Sequence, residues 1–165
     1  MTTTATTKRR HVDQSIFRNT IGHFTSGVAV ITTQRAGERF GVTASAISSL
    51  SMDPPMLLVC LNRKLATADA ISGSGAFAVN ILAEDQSGLA TQFATRHPDK
   101  FRGVPVTDSE VGVPILAGAL AHLECRVMKR SDVATHTVFI AEVQEAKANP
   151  GSPLVYFRGQ FGRFS

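Results

Sequence analysis

From residue 26 onward the chain alternates short, β-branched apolar runs with turn-forming residues, the pattern of strands and not of long helices. Ser26 to Gln34 reads as the first strand, and Arg35-Ala36-Gly37-Glu38 turns it back into a second from Arg39 to Ala46. Met56 to Leu61 and Phe77 to Leu82 are further apolar strands. Ala119 to Met128 and Val133 to Val143 follow, joined by a polar turn around Lys129–Asp132, and Leu154 to Phe157 closes the series after Pro150-Gly-Ser-Pro153.

Three stretches carry helical spacing instead. In Val12–Phe24 the residues Ile16, Phe17, Thr20, Ile21 and Phe24 share a face, Asp13 is placed to cap the start, and Gly22 lies near the end. Ala66 to Ser72 forms a short helix closed by Gly73 and Gly75, and Ala83 to Thr95 turns Leu89, Ala90 and Phe93 inward. Arg96 to Pro114, rich in Asp, Gly and Pro, reads as an irregular surface excursion. About six or seven strands arriving as consecutive hairpins predict a mostly β fold, an antiparallel barrel with helices packed outside.

One stretch stands apart. Phe40 to Asn62, FGVTASAISSLSMDPPMLLVCLN, reads as two β segments around a loop of small hydroxyl residues: Thr43, Ser45, Ser48, Ser49 and Ser51, ended by Asp53, Pro54 and Pro55. With little side-chain bulk, such a loop lets backbone N–H groups approach a flat, polar-edged ligand. It is a binding loop more than a packing element.

Composition narrows the classes. At 165 residues, 43% apolar and 18% charged, the chain predicts one globular domain able to bury a core without staples. Mean hydropathy of +0.05 and the lack of any apolar run near 20 residues exclude a transmembrane helix. The opening MTTTATTKRRH carries a basic cluster with no apolar segment behind it. It is expected to be a disordered tail over residues 1–12 and not a secretory signal, ahead of one domain over 13–165, with the cytoplasm as the default address. Much of the net charge of +4 sits in that tail, so the folded part is only mildly basic. Nucleic-acid binding would require a basic face with interleaved aromatics, which is missing; the excess charge suits an anionic small molecule. Cys60 and Cys125 lie in separate apolar runs and are expected to be reduced and buried, neither a zinc set nor a disulfide framework. No G-x-G-x-x-G follows a strand, so any nucleotide cofactor is held by something other than a Rossmann turn.

GVTAS followed by SLSMDPP and an apolar strand resembles the short-chain flavin reductases that supply reduced flavin to two-component monooxygenases. The resemblance continues through FTSGVAVITT (24–33), FAVNIL (77–82), FATRHPDKF (93–101), HTVFIAEV (136–143) and PLVYFRGQF (153–161), in order and over nearly the whole chain from Phe17. It implies a flavin-binding split β-barrel, a homodimer, and hydride transfer from NADH or NADPH to N5 of FAD or FMN, with the reduced flavin leaving for an oxygenase component. Membrane and nucleic acid are not among the implied partners, and no metal is.

The same resemblance assigns residues. Thr43, Ala44, Ser45 and Ala46 would meet the flavin ring edge, with Ser51 in the same lining. Asn62 and Thr67 would contact the flavin side chain and phosphate, helped by the open N–H groups of a helix start. Phe93 would cover part of the flavin, and Lys100 would reach its phosphate end. His136, the one candidate catalytic residue, would border the nicotinamide side, with Tyr156 and Arg158 contacting the nicotinamide cofactor. The chain departs from the family at Leu65, where a Ser is usual, and at Ala134-Thr135, where Gly-Asp usually precedes the histidine. Those departures leave open a flavin-binding split-barrel protein without reductase activity. A non-enzymatic β-barrel interaction module is the alternative from another class.

Overall fold

Asp13 opens the first helix: its carboxylate accepts the Ser15 N–H at 2.8 Å, and a bond from the Ser15 hydroxyl first and this N–H second hold its pKa below the ordinary value. The computed structural model describes residues 11–164, so nearly all of the expected tail lies outside the described residues. From Asp13 the elements run α1 (Gln14–Ile21), β1 (Ser26–Gly27), β2 (Ala29–Arg35), β3 (Glu38–Ala44), β4 (Ile47–Met52), β5 (Pro55–Asn62) and α2 (Ala66–Ser74). They continue with β6 (Ala76–Ile81), α3 (Ser87–Ala94), β7 (Val106–Asp108), β8 (Pro114–Leu116), β9 (Ala121–Val133), β10 (His136–Ala148), β11 (Leu154–Phe157) and β12 (Gln160–Arg163). Among the described residues no helix is long and apolar enough to cross a membrane.

Seven strands form one antiparallel sheet in the order β3-β2-β6-β9-β10-β5-β4, and β3 and β4, its two edges, are not paired with each other. A three-stranded sheet, β1-β11-β12, joins the two ends of the described chain, and β7-β8 is a separate hairpin. The mostly β, hairpin-built character expected from the sequence is therefore present.

The concave face of the large sheet encloses Ile31, Val42, Leu57, Val59, Leu61, Phe77, Val79 and Phe139, with Ala68 and Ile71 of α2 among them. β2 is buried on both faces. Ile31 points into that core, while Val30 and the neighbouring Val28 pack with Leu82, Phe93 and Leu154 behind the sheet. This two-sided burial explains why Val28 to Ile31 are apolar without alternation, and the buried Thr32 and Thr33 that follow find hydrogen-bond partners.

A buried carboxamide fixes the excursion onto this frame. Asn80 donates to the Val30 carbonyl at 3.0 Å and to Thr32 Oγ1 at 2.9 Å, and accepts the Leu116 N–H at 2.9 Å. Thr32 in turn donates to the Pro114 carbonyl. The stretch expected to be irregular thus contains the β7–β8 hairpin, pinned across the outside of β2 and β6 by polar groups that burial forces to pair.

Four further expectations are corrected. The Ser-rich loop is instead the edge strand β4, whose hydroxyls sit largely in solvent and so lack the alternation of a half-buried strand. The turn expected at Lys129–Asp132 is strand; the hairpin turns at Ala134-Thr135, with Ala134 at φ +50°, because β9 and β10 run on together past the core. The helix expected from Ala83 begins at Ser87, since Ala83 is engaged in a bridge to Pro153. Gly73 lies within α2, where the Arg35 side chain crosses it, and only Gly75, at φ +73°, ends the helix.

Gly41 sits directly against a buried ring. A Cβ there would lie 2.5 Å from Cε1 of Phe93, which is fully buried and stacked edge-on against Phe101. Gly41→Ala is expected to cost about 1–3 kcal/mol in urea unfolding, because a buried ring must move. Gly88→Ala, at a helical position with nothing within 4 Å of the new Cβ, is expected to be neutral or to stabilise by up to about 1 kcal/mol. Equal effects of the two would refute this account of the packing.

Candidate functional site

The strict alternation of β5 creates the floor of a groove. Leu57, Val59 and Leu61 enter the core, so Met56, Leu58, Cys60 and Asn62 face the other side of the sheet. Leu58 and Cys60 floor a groove of about 810 Å3, with Ser45, Ala46 and Ser48 along one wall. α1 supplies the opposite wall through Ser15, Arg18, Asn19 and Ile21, and Tyr156, Arg158 and Gly159 form the rim. Among the described residues the amides of Ser45 and Ala46 have no protein acceptor, although the carbonyl of Ala46 accepts Cys60 N–H at 2.9 Å.

The wall formed by α1 is held by the far end of the chain. Ser26 pairs with Tyr156 in the β1–β11 ladder. Arg158 N–H donates to the Gly22 carbonyl at 3.1 Å, and its Nη2 donates to Asn19 Oδ1 at 3.2 Å. His23 meets Phe157 edge-on with 6.0 Å between ring centroids, and Tyr156 leans on Phe161 at 5.8 Å.

The residues singled out from the sequence divide into three sets. Ser45, Ala46, Tyr156 and Arg158 come together in this groove. Asn62 and His136 stand opposite each other in the β5–β10 ladder, on the face of the sheet that carries Cys60. Two residues along a strand advance roughly 6.6 Å, so they continue the floor beyond the groove. The hairpin bearing His136 is tied there by the Arg63 N–H, which donates to the Thr135 carbonyl at 3.1 Å. His136 Nδ1 lies 2.8 Å from Thr135 Oγ1, so the hydroxyl occupies the ring nitrogen that an aspartate would otherwise orient. Thr67 is buried in the first turn of α2. That helix has no side-chain cap, and Leu65, at the cap position, packs on the core instead.

The third set is turned elsewhere. Thr43 donates its hydroxyl to the Ala90 carbonyl at 2.6 Å, and Ala44 is buried in the core. Phe93 is wholly buried behind the sheet, packed with Val30, Leu82 and Leu154. Lys100 Nζ donates to the Phe93 carbonyl at 3.0 Å and to that of Gly41 at 3.2 Å; burial lowers its pKa, and it fastens α3 to β3. Ser51 lies beside a second cavity, of about 610 Å3, floored by core residues such as Leu57 and Val143. Sequence reasoning missed Ser15, Arg18, Asn19 and Cys60. The amphipathic spacing of α1 was visible, but nothing local says which surface the helix covers.

The two cysteines are free and occupy opposite faces. Cys125 is fully buried in the core, where burial first and the neighbouring Glu124 charge second push its thiol up to about 12. Cys60 is only half-buried, because β5 turns it toward the groove.

An antiparallel sheet with a groove on the face turned away from its main core, walled by α1 and rimmed by the β11–β12 turn, is a β architecture rather than a nucleotide-binding α/β fold. Residues 21–165 match the flavin reductase like domain, and the chain belongs to that family. It is 50% identical over 153 residues to the reductase component of a 4-nitrophenol 4-monooxygenase/4-nitrocatechol 2-monooxygenase from Rhodococcus opacus, covering 93% of this chain and 82% of that one. It is 34% identical to an NADH-dependent flavin reductase from a Rhodococcus species, over 98% of this chain and 92% of the other. Among solved structures it superposes with a TM-score of 0.88 on the NADH:FAD oxidoreductase SgcE6 of Streptomyces globisporus C-1027 in complex with NAD and FAD fragments. That pair shares 32% identity and covers 95% and 98% of the two chains.

If Cys60 lines the groove and Cys125 lies in the core, a thiol reagent should titrate a single cysteine in the native protein and the second only in denaturant. Added flavin should slow the first reaction severalfold. Two cysteines reacting at equal rates without denaturant would contradict these placements.

Proposed function

We propose that this chain is an NAD(P)H-dependent flavin reductase whose flavin ring lies in the groove beside Ser45 and Ala46. The observation that carries the reading is the pair of free consecutive amides at Ser45 and Ala46, on a wall with almost no side-chain bulk, facing a rim that holds Arg158. The two amides fit a flat ring with carbonyl oxygens on its edge, and Arg158 suits an anionic group held at the rim. Bound flavin and NADH or NADPH supply the chemistry themselves: a hydride passes from the nicotinamide to N5 of FAD or FMN, and no protein nucleophile takes part.

The work of the chain is then to bind and orient. Fixed amides stabilise charge that develops on the ring carbonyls as the hydride arrives. Asn62, Thr67 and the uncapped start of α2 receive the flavin side chain and phosphate, and the apolar Leu65 leaves that task to backbone N–H groups. His136 borders the nicotinamide, and Tyr156 and Arg158 hold the dinucleotide. Reduced flavin leaves for an oxygenase component, in keeping with the monooxygenase reductase component among the relatives.

Two features of the architecture belong to the same reading. β3 runs straight into β4 through Ser45-Ala46, so the two unpaired sheet edges are consecutive in the chain and curl toward each other as a split barrel. α1 buries none of its residues, and Ile16, Phe17, Ile21 and the following Phe24 are between 52% and 78% exposed. An apolar face of that size needs cover, which a second copy in a homodimer provides.

The test is NADH and NADPH oxidation with FAD, FMN or riboflavin. Turnover with at least one pair is expected, and binding of flavin without any turnover would favour a carrier over a reductase. Ser45→Trp, which fills the groove, should abolish flavin binding by fluorescence titration while circular dichroism stays normal. Unchanged affinity would remove the flavin from this groove.

His136→Ala should raise KM for the nicotinamide cofactor and leave flavin affinity nearly unchanged. Loss of a hydrogen bond to a charged partner is worth roughly tenfold to hundredfold, and with Thr135 in place of a carboxylate the low end or below is expected. A fall in kcat at unchanged KM would instead place His136 on the hydride step. Wild-type constants for both substrates would make it structural.

A further inference from the structure

The groove is lined by two arginines and no carboxylate. Among the described residues only three arginines outside the groove meet acids, Arg35 with Asp69 at 2.9 Å, Arg39 with Asp108 at 3.0 Å and Arg163 with Glu84 at 3.7 Å, so lack of an acid does not by itself set an arginine of this surface apart. What sets Arg18 and Arg158 apart is their place: both line one groove, and among the described residues neither meets an acid there.

Arg158 is nevertheless held firmly. Its backbone takes a left-handed conformation, φ +48°, in the β11–β12 turn, its N–H bonds Gly22, and its guanidinium bonds Asn19. The partner chosen is a neutral amide. Asn19 accepts one N–H of the fork and fixes its plane, yet leaves the positive charge unneutralised and the remaining N–H groups free. A carboxylate at the same place would form an ion pair and cancel the attraction for an anion. Arg18 sits one residue before Asn19 on α1, so helix and turn present two cations to one opening. Two guanidinium forks match two linked phosphoryl groups better than one, because each can bond a phosphoryl in bidentate fashion.

We propose that Arg18 and Arg158 form a clamp for the diphosphate of a dinucleotide bound in this groove, with Asn19 as the residue that positions Arg158. The inference rests on the reading of the groove as a cofactor site and adds to it the element α1, its two polar residues and the charge of the group they take. Both NAD(P)H and FAD carry such a diphosphate, and FMN and riboflavin do not.

The test uses Arg18→Ala, Arg158→Ala, Arg158→Lys, Asn19→Ala and Asn19→Asp in the full chain, with folding checked by urea unfolding. If the clamp holds the nicotinamide dinucleotide, KM for NADH should rise roughly tenfold to hundredfold in either arginine-to-alanine variant. The rise should be equal with riboflavin or FAD as acceptor. If it holds FAD, affinity for FAD should fall by that factor while riboflavin binding is unchanged. Either outcome supports the clamp and names its ligand. Asn19→Asp gives the sharper readout: the new carboxylate should hold Arg158 at least as well and leave stability intact, yet weaken the dinucleotide more than Asn19→Ala does. A merely structural Asn19 predicts no such loss.

Binding of ADP-ribose, followed by calorimetry, reads the clamp without turnover. If ADP-ribose and FAD bind the folded variants as they bind wild type, the clamp is overturned. Absence of NADH oxidation by wild type with every flavin would overturn the reductase reading instead, and the binding measurements would still decide the clamp.

Discussion

The period-two alternation of β5 is the constraint on which the rest of the molecule depends. Its odd-numbered residues from Leu57 to Leu61 fill the centre of the core, and its even-numbered residues face the other side, where Leu58 and Cys60 floor the groove. The same strand is paired on both sides, to β4 along one edge and to β10 along the other. A slip of one residue would exchange the two faces, putting Asn62 into the core and Leu61 into the groove. Core and groove are thus two readings of one register, and the burial of Val59 and Phe139 is what keeps Cys60 and His136 where they are.

What the sequence makes legible follows from this. β2, β5 and β6 were readable because their apolar residues are dictated by burial on one or both faces. β4 was not, because an edge strand carrying Ser48, Ser49 and Ser51 in solvent has the composition of a loop. The ends of β9 and β10 were hidden for a related reason. Lys129 to Asp132 are polar since that part of the ribbon runs beyond the core, and polarity alone resembles a turn. β8 depends on Asn80, a residue 36 positions before Leu116 in sequence that no local pattern connects to it.

The candidate site was legible where backbone position alone decides it and obscure where side-chain direction does. Ser45, Ala46, Tyr156 and Arg158 arrive together because they end strands at one rim. Thr43 is two residues from Ser45 but belongs to the ladder, and its hydroxyl is used by α3. Phe93 and Lys100 share one fate: the ring fills the space left open by Gly41, and the ammonium group caps the carbonyls around it. Arg18 and Asn19 were invisible as site residues, since their placement depends on a contact with Arg158, 139 positions further on in the case of Asn19.

That contact has a consequence for the order in which the molecule is made. The floor of the groove is complete once β4, β5 and β10 have paired, but the wall of α1 has nothing to lean on until Tyr156 to Gly159 exist. On the ribosome every strand of the large sheet therefore emerges before the cleft can close around a ligand. A growing chain exposes its first helix until Tyr156 to Gly159 have been made, and only then can it gain a finished binding surface.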